Sequence, residues 1–210
     1  MNIPVLILLA GGKSSRMGTP KGLLDYHGIP WIVAQIFRYK NITNPTVYIG
    51  LGYDYEHYFE AVPQLKKAAS QSYLWNGITI KAIINKHPEN GAFSTLQAVL
   101  KEIDKEATVL VLPVDVPLLN DKGLQAIINC ENIIVIPVCD GKNGHPVKLK
   151  PEFWRTLTTI DIKAKEARLD RQIKKQEPSS VSFLNVMENS VYQNINTMND
   201  WNNYLLITKR

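Results

Sequence analysis

The chain has 210 residues, enough to bury a substantial core and close to the usual length of one domain, so one α/β domain over residues 1–210 is expected. Lys and Arg number 24 against 19 Asp and Glu, a formal charge of +5 with a sequence pI of about 9.1, which suits anionic partners. The only cysteines, Cys130 and Cys139, have neither CxxC spacing nor nearby His ligands; this argues against a zinc site and for reduced core residues.

The first apolar run, Ile3 to Ala10, is too short to span a membrane, has no basic flank before it and leads into glycines rather than a cleavage site. It reads as a buried strand, Val5 to Leu9, of a cytoplasmic protein with no membrane partner. Trp31, Ala34, Ile36 and Phe37 then fall at helical spacing, and strands are expected at Thr46 to Ile49 and Ile80 to Ile84. Leu96, Val99, Leu100 and Ile103 return to the helical period before two further strands, Val109 to Leu112 and Ile133 to Ile136. Pro151 to Ile160 and Lys163 to Ile173 read as helices, Val181 to Val186 as a strand, and Met198 to Ile207 as a terminal helix begun after Thr197.

Near-continuous apolarity suits parallel strands covered on both faces, and their alternation with helices implies a doubly wound, mostly parallel sheet. No Ser/Gly-rich linker, internal repeat or low-complexity tract divides the chain. The densest basic stretch, Lys163 to Lys175, also holds Glu166 and Asp170 and carries no interleaved aromatics, so it reads as a solvated helix face and no nucleic-acid partner is expected.

In an open parallel sheet, ligands bind outside the carboxyl ends of the strands. Residues 8–24, LLAGGKSSRMGTPKGLL, leave the first strand through Gly11 and Gly12 and then carry Ser14, Arg16, Gly18 and Lys21. Glycines let backbone N–H groups approach a phosphate, and Arg16 and Lys21 supply the charge a triphosphate requires. A P-loop would need Gly at position 7, which is Ile7, and GxGxxG fails because the run from Gly11 is GGKSSR. The second loop, in LVLPVDVPLL, puts Asp115 just beyond a strand end, where a carboxylate can bind Mg²⁺ that neutralises phosphate charge; alone, such an Asp is more often a turn or cap residue.

The string from Leu9 resembles the signature LAGGxSxRMGxxKxLL of the MobA-like NTP transferases, the molybdenum-cofactor nucleotidyltransferases and their relatives, with every fixed position present. That resemblance implies a Rossmann-like nucleotidyltransferase fold and nucleotide contacts from Leu9, Ala10, Gly11, Gly12, Ser14, Arg16 and Lys21. It also implies that Asp115, in a DxP motif, holds Mg²⁺, and that Arg16, Lys21 and Asp115 form the catalytic set. The loop in NKHPENGAFSTLQAVL, which starts a helix near Ser94, corresponds to the family's base-contacting loop and transfers that role to Asn85, Gly91 and Ser94. NINTMNDWNNY resembles the family's NxNTPxD or DIDTPxD segment, with Met198 where proline is usual; it offers Asn194 and Asn196 as further metal or phosphate contacts, while Asn196 or Thr197 also suits a helix cap. GHPV at 144–147 resembles the acceptor-side segment and brings in His145. KAKEARLDRQI departs from the GDxGxR motif of some branches and keeps only an Arg, which points to a different acceptor pocket.

The implied reaction is Mg²⁺-dependent transfer of NMP from an NTP, CTP or GTP, to a phosphorylated acceptor such as a molybdopterin-type cofactor or a sugar phosphate, releasing pyrophosphate. The protein is expected to act as a monomer or small homo-oligomer. A dinucleotide-dependent oxidoreductase would share the sheet, but GxGxxG is missing. A silent nucleotide-binding regulator would keep the glycine loop and lose its metal ligands; Asp115 speaks against it and the two Asn residues for it.

Overall fold

The computed structural model describes residues 3–208. In chain order its strands and helices are β1 (Val5–Ala10), β2 (Asp25–Tyr26), β3 (Ile29–Pro30), α1 (Trp31–Arg38), β4 (Thr46–Leu51), α2 (Tyr55–Ala61), α3 (Pro63–Ser70), β5 (Tyr73–Trp75), β6 (Ile78–Ile84), α4 (Ala92–Leu100), β7 (Val109–Pro113), α5 (Asp121–Asn129), β8 (Ile134–Cys139), β9 (Lys142–Asn143), β10 (Val147–Leu149), α6 (Pro151–Leu157), α7 (Leu169–Ile173), β11 (Val181–Asn185) and α8 (Met198–Thr208). Short 3-10 turns connect several of them.

The principal sheet runs β11-β8-β10-β7-β1-β4-β6-β5, with β9 paired to β8, while β2 and β3 form a separate hairpin. β1 lies parallel to both β4 and β7, β6 is parallel to β4, and β11 is parallel to β8. The mostly parallel, doubly wound α/β sheet expected from the apolar runs is therefore present. After β1 the chain winds outward through β4 and β6, then returns to the other side of β1 for β7. That reversal opens a crevice beyond the carboxyl ends of β1 and β7, the place where doubly wound sheets bind ligands.

Alternation along β1 shows why its apolar run is unbroken. Leu6 and Leu8 pack on one face with Trp31, Ile32 and Ile36 of α1 and Leu124 and Ile127 of α5. Ile7 faces the other way, toward Leu96 and Val99 of α4 and Phe153 and Trp154 of α6. A strand buried on both sides has no polar face to spare.

Several features depart from the sequence reading. β10 is antiparallel to both β7 and β8 and separates these two otherwise parallel neighbours. Its central residue, Lys148, is buried in the sheet, and its ammonium donates to the carbonyls of Ile128 and Cys130 at the end of α5, where the helix dipole favours a cation. The helix expected over Lys163 to Ile173 is confined to α7; residues ahead of it form turns, with the Lys163 N–H donating to Asp161 and the carbonyls of Lys165 and Glu166 accepting from the side chains of Arg171 and Gln172. Finally, α4 begins at Ala92 behind Gly91, so Ser94 sits within its first turn and its hydroxyl donates back to the Gly91 carbonyl at 2.7 Å. No described helix is long and apolar enough to cross a membrane.

Candidate active site

The glycine segment leaves β1 at the crevice and wraps a cleft of about 310 Å³ lined by Leu9, Ala10, Gly11, Gly12, Ser14, Arg16 and Lys21 together with Asp115 and Asn196. Gly11 is demanded by space: a Cβ there would lie 2.5 Å from Thr95 Oγ1 of α4. Gly18 is demanded by conformation, with φ at +68°. Ser14 folds the loop on itself, its hydroxyl accepting the Lys21 N–H at 3.1 Å. Arg16 is exposed along the same cleft.

Lys21 and Asp115 are 94 positions apart in sequence, yet the Lys21 ammonium donates to Asp115 Oδ2 at 2.7 Å and to Asn196 Oδ1 at 2.8 Å. Both side chains of the ion pair are mostly shielded, at 14% and 23% exposure, so the charges act in a medium of lower dielectric than bulk water. Two oxygens thus converge on one cationic centre. Among the described residues there is no group of three or more His, Cys, Asp and Glu able to hold a metal. A metal here would take one carboxylate and one amide oxygen from the chain and complete its shell with phosphate and water, a donor set that suits Mg²⁺.

The segment carrying Asn196 is fixed by its own chemistry. Thr197 Oγ1 accepts the Asp200 N–H, and Asp200 Oδ2 accepts the N–H groups of Thr197 and Asn196 at 2.8 and 3.0 Å, a reciprocal capping box at the start of α8. Hydrogen bonding from Thr197, then from the backbone of Asn196 and Thr197, holds the Asp200 carboxyl below its ordinary range. The Ile195 N–H donates to the Asp115 carbonyl at 2.8 Å, tying this segment to the loop that carries Asp115. Asn194 faces elsewhere: its side chain is exposed and lines a separate hollow with Gln193, Asn203 and Tyr204. Of the two asparagines, Asn196 is the one brought to Asp115.

Asn85 and Ser94 are occupied within the protein. Asn85 Nδ2 donates to Ser94 Oγ and Thr95 Oγ1 at 2.8 and 3.1 Å, and its carbonyl oxygen accepts the His87 N–H. Their side chains shape the loop, leaving Gly91, at φ +83°, to line an adjoining cavity of about 680 Å³. That cavity shares Leu9, Ala92 and Pro113 with the cleft and is walled by His145, Arg168 and apolar residues such as Phe93, Leu96 and Val111. His145 Nδ1 lies 3.4 Å from the Val111 carbonyl, and burial pushes the imidazole pKa down, which keeps the ring neutral.

Sequence reasoning missed Lys13, Ser15, Tyr58 and Thr95 in the cleft wall and Arg168 in the adjoining cavity. Lys13 and Ser15 lie inside the glycine segment and were open to inspection there. Tyr58 and Thr95 carry no motif, since only the packing of α2 and α4 against the loop brings them in.

The family model for the MobA-like NTP transferase domain matches residues 6–178. A molybdenum cofactor guanylyltransferase from Xanthomonas euvesicatoria pv. vesicatoria (strain 85-10) is 24% identical over 197 residues, covering 93% of this chain and 90% of that protein. Among solved structures, Rv0371c of Mycobacterium tuberculosis H37Rv superposes with a TM-score of 0.72 at 20% identity, covering 98% of both chains. Its manganese complex superposes with a TM-score of 0.67 at 18% identity, covering 98% of this chain and 99% of that one.

Proposed function

The chain belongs to the MobA-like NTP transferase family, and on that premise we propose that it transfers the NMP moiety of an NTP to a phosphorylated acceptor and releases pyrophosphate. The observation that carries this reading is the meeting of Asp115, Lys21 and Asn196 at the mouth of the glycine segment, where one triphosphate can touch all three. The relative named a guanylyltransferase favours GTP and a molybdopterin-type acceptor over CTP and a sugar phosphate.

In this mechanism the backbone N–H groups of the glycine segment and the charges of Arg16 and Lys21 stabilise the departing pyrophosphate. Asp115 and Asn196 would hold Mg²⁺, which withdraws charge from the α-phosphate when bound; the manganese complex of the Mycobacterium tuberculosis protein supports a divalent metal. The acceptor phosphate is already ionised near neutral pH, so no dedicated general base is required. The larger cavity beside Leu9, Ala92 and Pro113 offers the acceptor a mainly apolar wall whose polar groups include His145, Asn143 and Arg168, the last paired with Asp170 at 3.0 Å.

The test is to incubate the protein with single NTPs, Mg²⁺ and a panel of phosphorylated acceptors while following pyrophosphate. Asp115→Asn is expected to cut turnover by about 100-fold or more with modest loss of stability, and Lys21→Ala chiefly to weaken use of the triphosphate. Unchanged catalysis in both variants refutes the roles given to them. Nucleotide binding without turnover in the wild type favours a silent nucleotide-binding regulator, to which Asn in place of Asp at position 196 lends itself.

A further inference from the structure

The loop that presents Asp115 is held from behind by one face of α1. Trp31 Nε1 donates to the Val114 carbonyl at 2.6 Å, and Gln35 Nε2 donates to the Val116 carbonyl at 2.6 Å. Gln35 Oε1 accepts the Leu118 N–H at 3.0 Å, and Arg38 approaches the Leu118 carbonyl at 3.5 Å. Positions 31, 35 and 38 fall on one stripe of a helix, and that stripe meets the carbonyls of 114, 116 and 118 where the chain turns after β7, a turn closed by the Val116 N–H on the Pro113 carbonyl at 3.1 Å. Asp115, between the first two anchored carbonyls, is partly exposed at the cleft, while Val114 and Val116 are buried.

We propose that Gln35, supported by Trp31, is a positioning residue that fixes the Asp115 carboxylate for metal and nucleotide. The primary amide is suited to this because it offers one donor and one acceptor, the pair that a neighbouring strand would present to residues 116 and 118. Gln35 is 0% exposed and touches neither the cleft nor the adjoining cavity, so its effect passes through the loop backbone. No ordinary core position needs an amide there; a hydrophobic residue would fill the space but leave the buried Val116 carbonyl and Leu118 N–H without partners. The inference rests on the transferase reading, because what is positioned is that reading's metal-side carboxylate.

The test compares the wild-type chain with Gln35→Met, which keeps volume and loses both hydrogen bonds, and with Trp31→Phe, which keeps a ring and loses one. Ile36→Val, a buried change in the same helix, is the packing control. Pyrophosphate release gives kcat and KM, and electron paramagnetic resonance of Mn²⁺ with a non-hydrolysable NTP gives metal affinity without turnover. Gln35→Met is expected to lower kcat and weaken Mn²⁺ binding by about 10- to 100-fold while the KM for NTP changes by less than about 3-fold. Trp31→Phe is expected to move the same quantities in the same direction by less, and Ile36→Val to leave both near wild type.

Wild-type Mn²⁺ affinity and kcat in folded Gln35→Met overturn the proposal. Should Gln35→Met fail to fold, Trp31→Phe decides alone, with unchanged values overturning it. A wild type that binds Mn²⁺ and NTP but releases no pyrophosphate sinks the transferase reading instead, while the Mn²⁺ comparison still judges the positioning role.

Discussion

Replacing Gly11 by alanine tests how the glycine segment is seated on the fold. The added methyl would meet Thr95 Oγ1 at 2.5 Å, Cγ2 at 3.1 Å and Cβ at 3.3 Å. Thr95 cannot swing away cheaply: it is buried in α4, accepts a hydrogen bond from Asn85, and would lie 2.7 Å from a Cβ placed on Gly50 across the strand. Overpacking of this kind costs about 1–3 kcal/mol. For a chain of this length, about 2 kcal/mol lowers the melting temperature by about 4–8 °C. Thr95→Ala removes the two nearest atoms and leaves only the 3.3 Å contact with Cβ, which a shift of a few tenths of an ångström relieves. Urea unfolding of the wild type, both single variants and the double variant should therefore give a coupling of about 1 kcal/mol or more, the double variant being more stable than the sum predicts. Strict additivity would mean that the close approach of Gly11 to α4 does not constrain the loop.

Two predictions concern pH and the α8 cap. His145 is held neutral by burial, so its folded pKa lies below the ordinary value of 6.5. As pH falls through 6.5 the unfolded chain takes up the proton first, and stability declines until the folded-state value is passed; above 6.5 the contribution is flat. His145→Gln should remove that part of the acid slope in chemical denaturation measured from pH 8 to 5, and an unchanged slope would exclude the imidazole as its source. Asp200 is depressed by its cap hydrogen bonds, so the stability it contributes is present above its ordinary value of 3.8 and lost as pH falls through the lower folded value. Asp200→Ala is expected to speed hydrogen exchange at Asn196, Thr197 and the first turn of α8 while the amides of β1 keep their protection; equal protection throughout would contradict the capping role.

The strands most legible in the sequence are those buried on both faces. β1, β4, β6, β7 and β8 each begin within two residues of the expected position, because a parallel strand covered by helices must be apolar at every site. The same reasoning placed the glycine segment and Asp115 at one edge, since consecutive loops of a doubly wound sheet share it. β10 escaped because three residues centred on a lysine show neither period, and its place between β7 and β8 depends on Lys148 finding helix-end carbonyls far off in sequence. Lys163 to Ile173 misled in the opposite way: charges at helical spacing suggested a solvated helix, whereas side-chain hydrogen bonds to backbone carbonyls stabilise turns over the first half. Asn85 and Ser94 illustrate a further limit. Their residue types suit a base edge, but only coordinates reveal that Asn85 is engaged by Ser94, Thr95 and the His87 N–H, and that the Ser94 hydroxyl donates to the Gly91 carbonyl.

The reversed direction of β10 separates two tasks at the crevice. Every parallel strand ends there, so a change in the loop after β1 or β7 disturbs the hand-off to the next helix. β10 instead starts there, with His145 just ahead of it and the β9 turn ahead of that. An insertion or deletion before His145 would alter which groups reach the larger cavity while the register of Val147 against Val111 keeps the rest of the sheet in place. The length of the approach to that cavity can thus change without moving the strand ends that carry the glycine segment and Asp115.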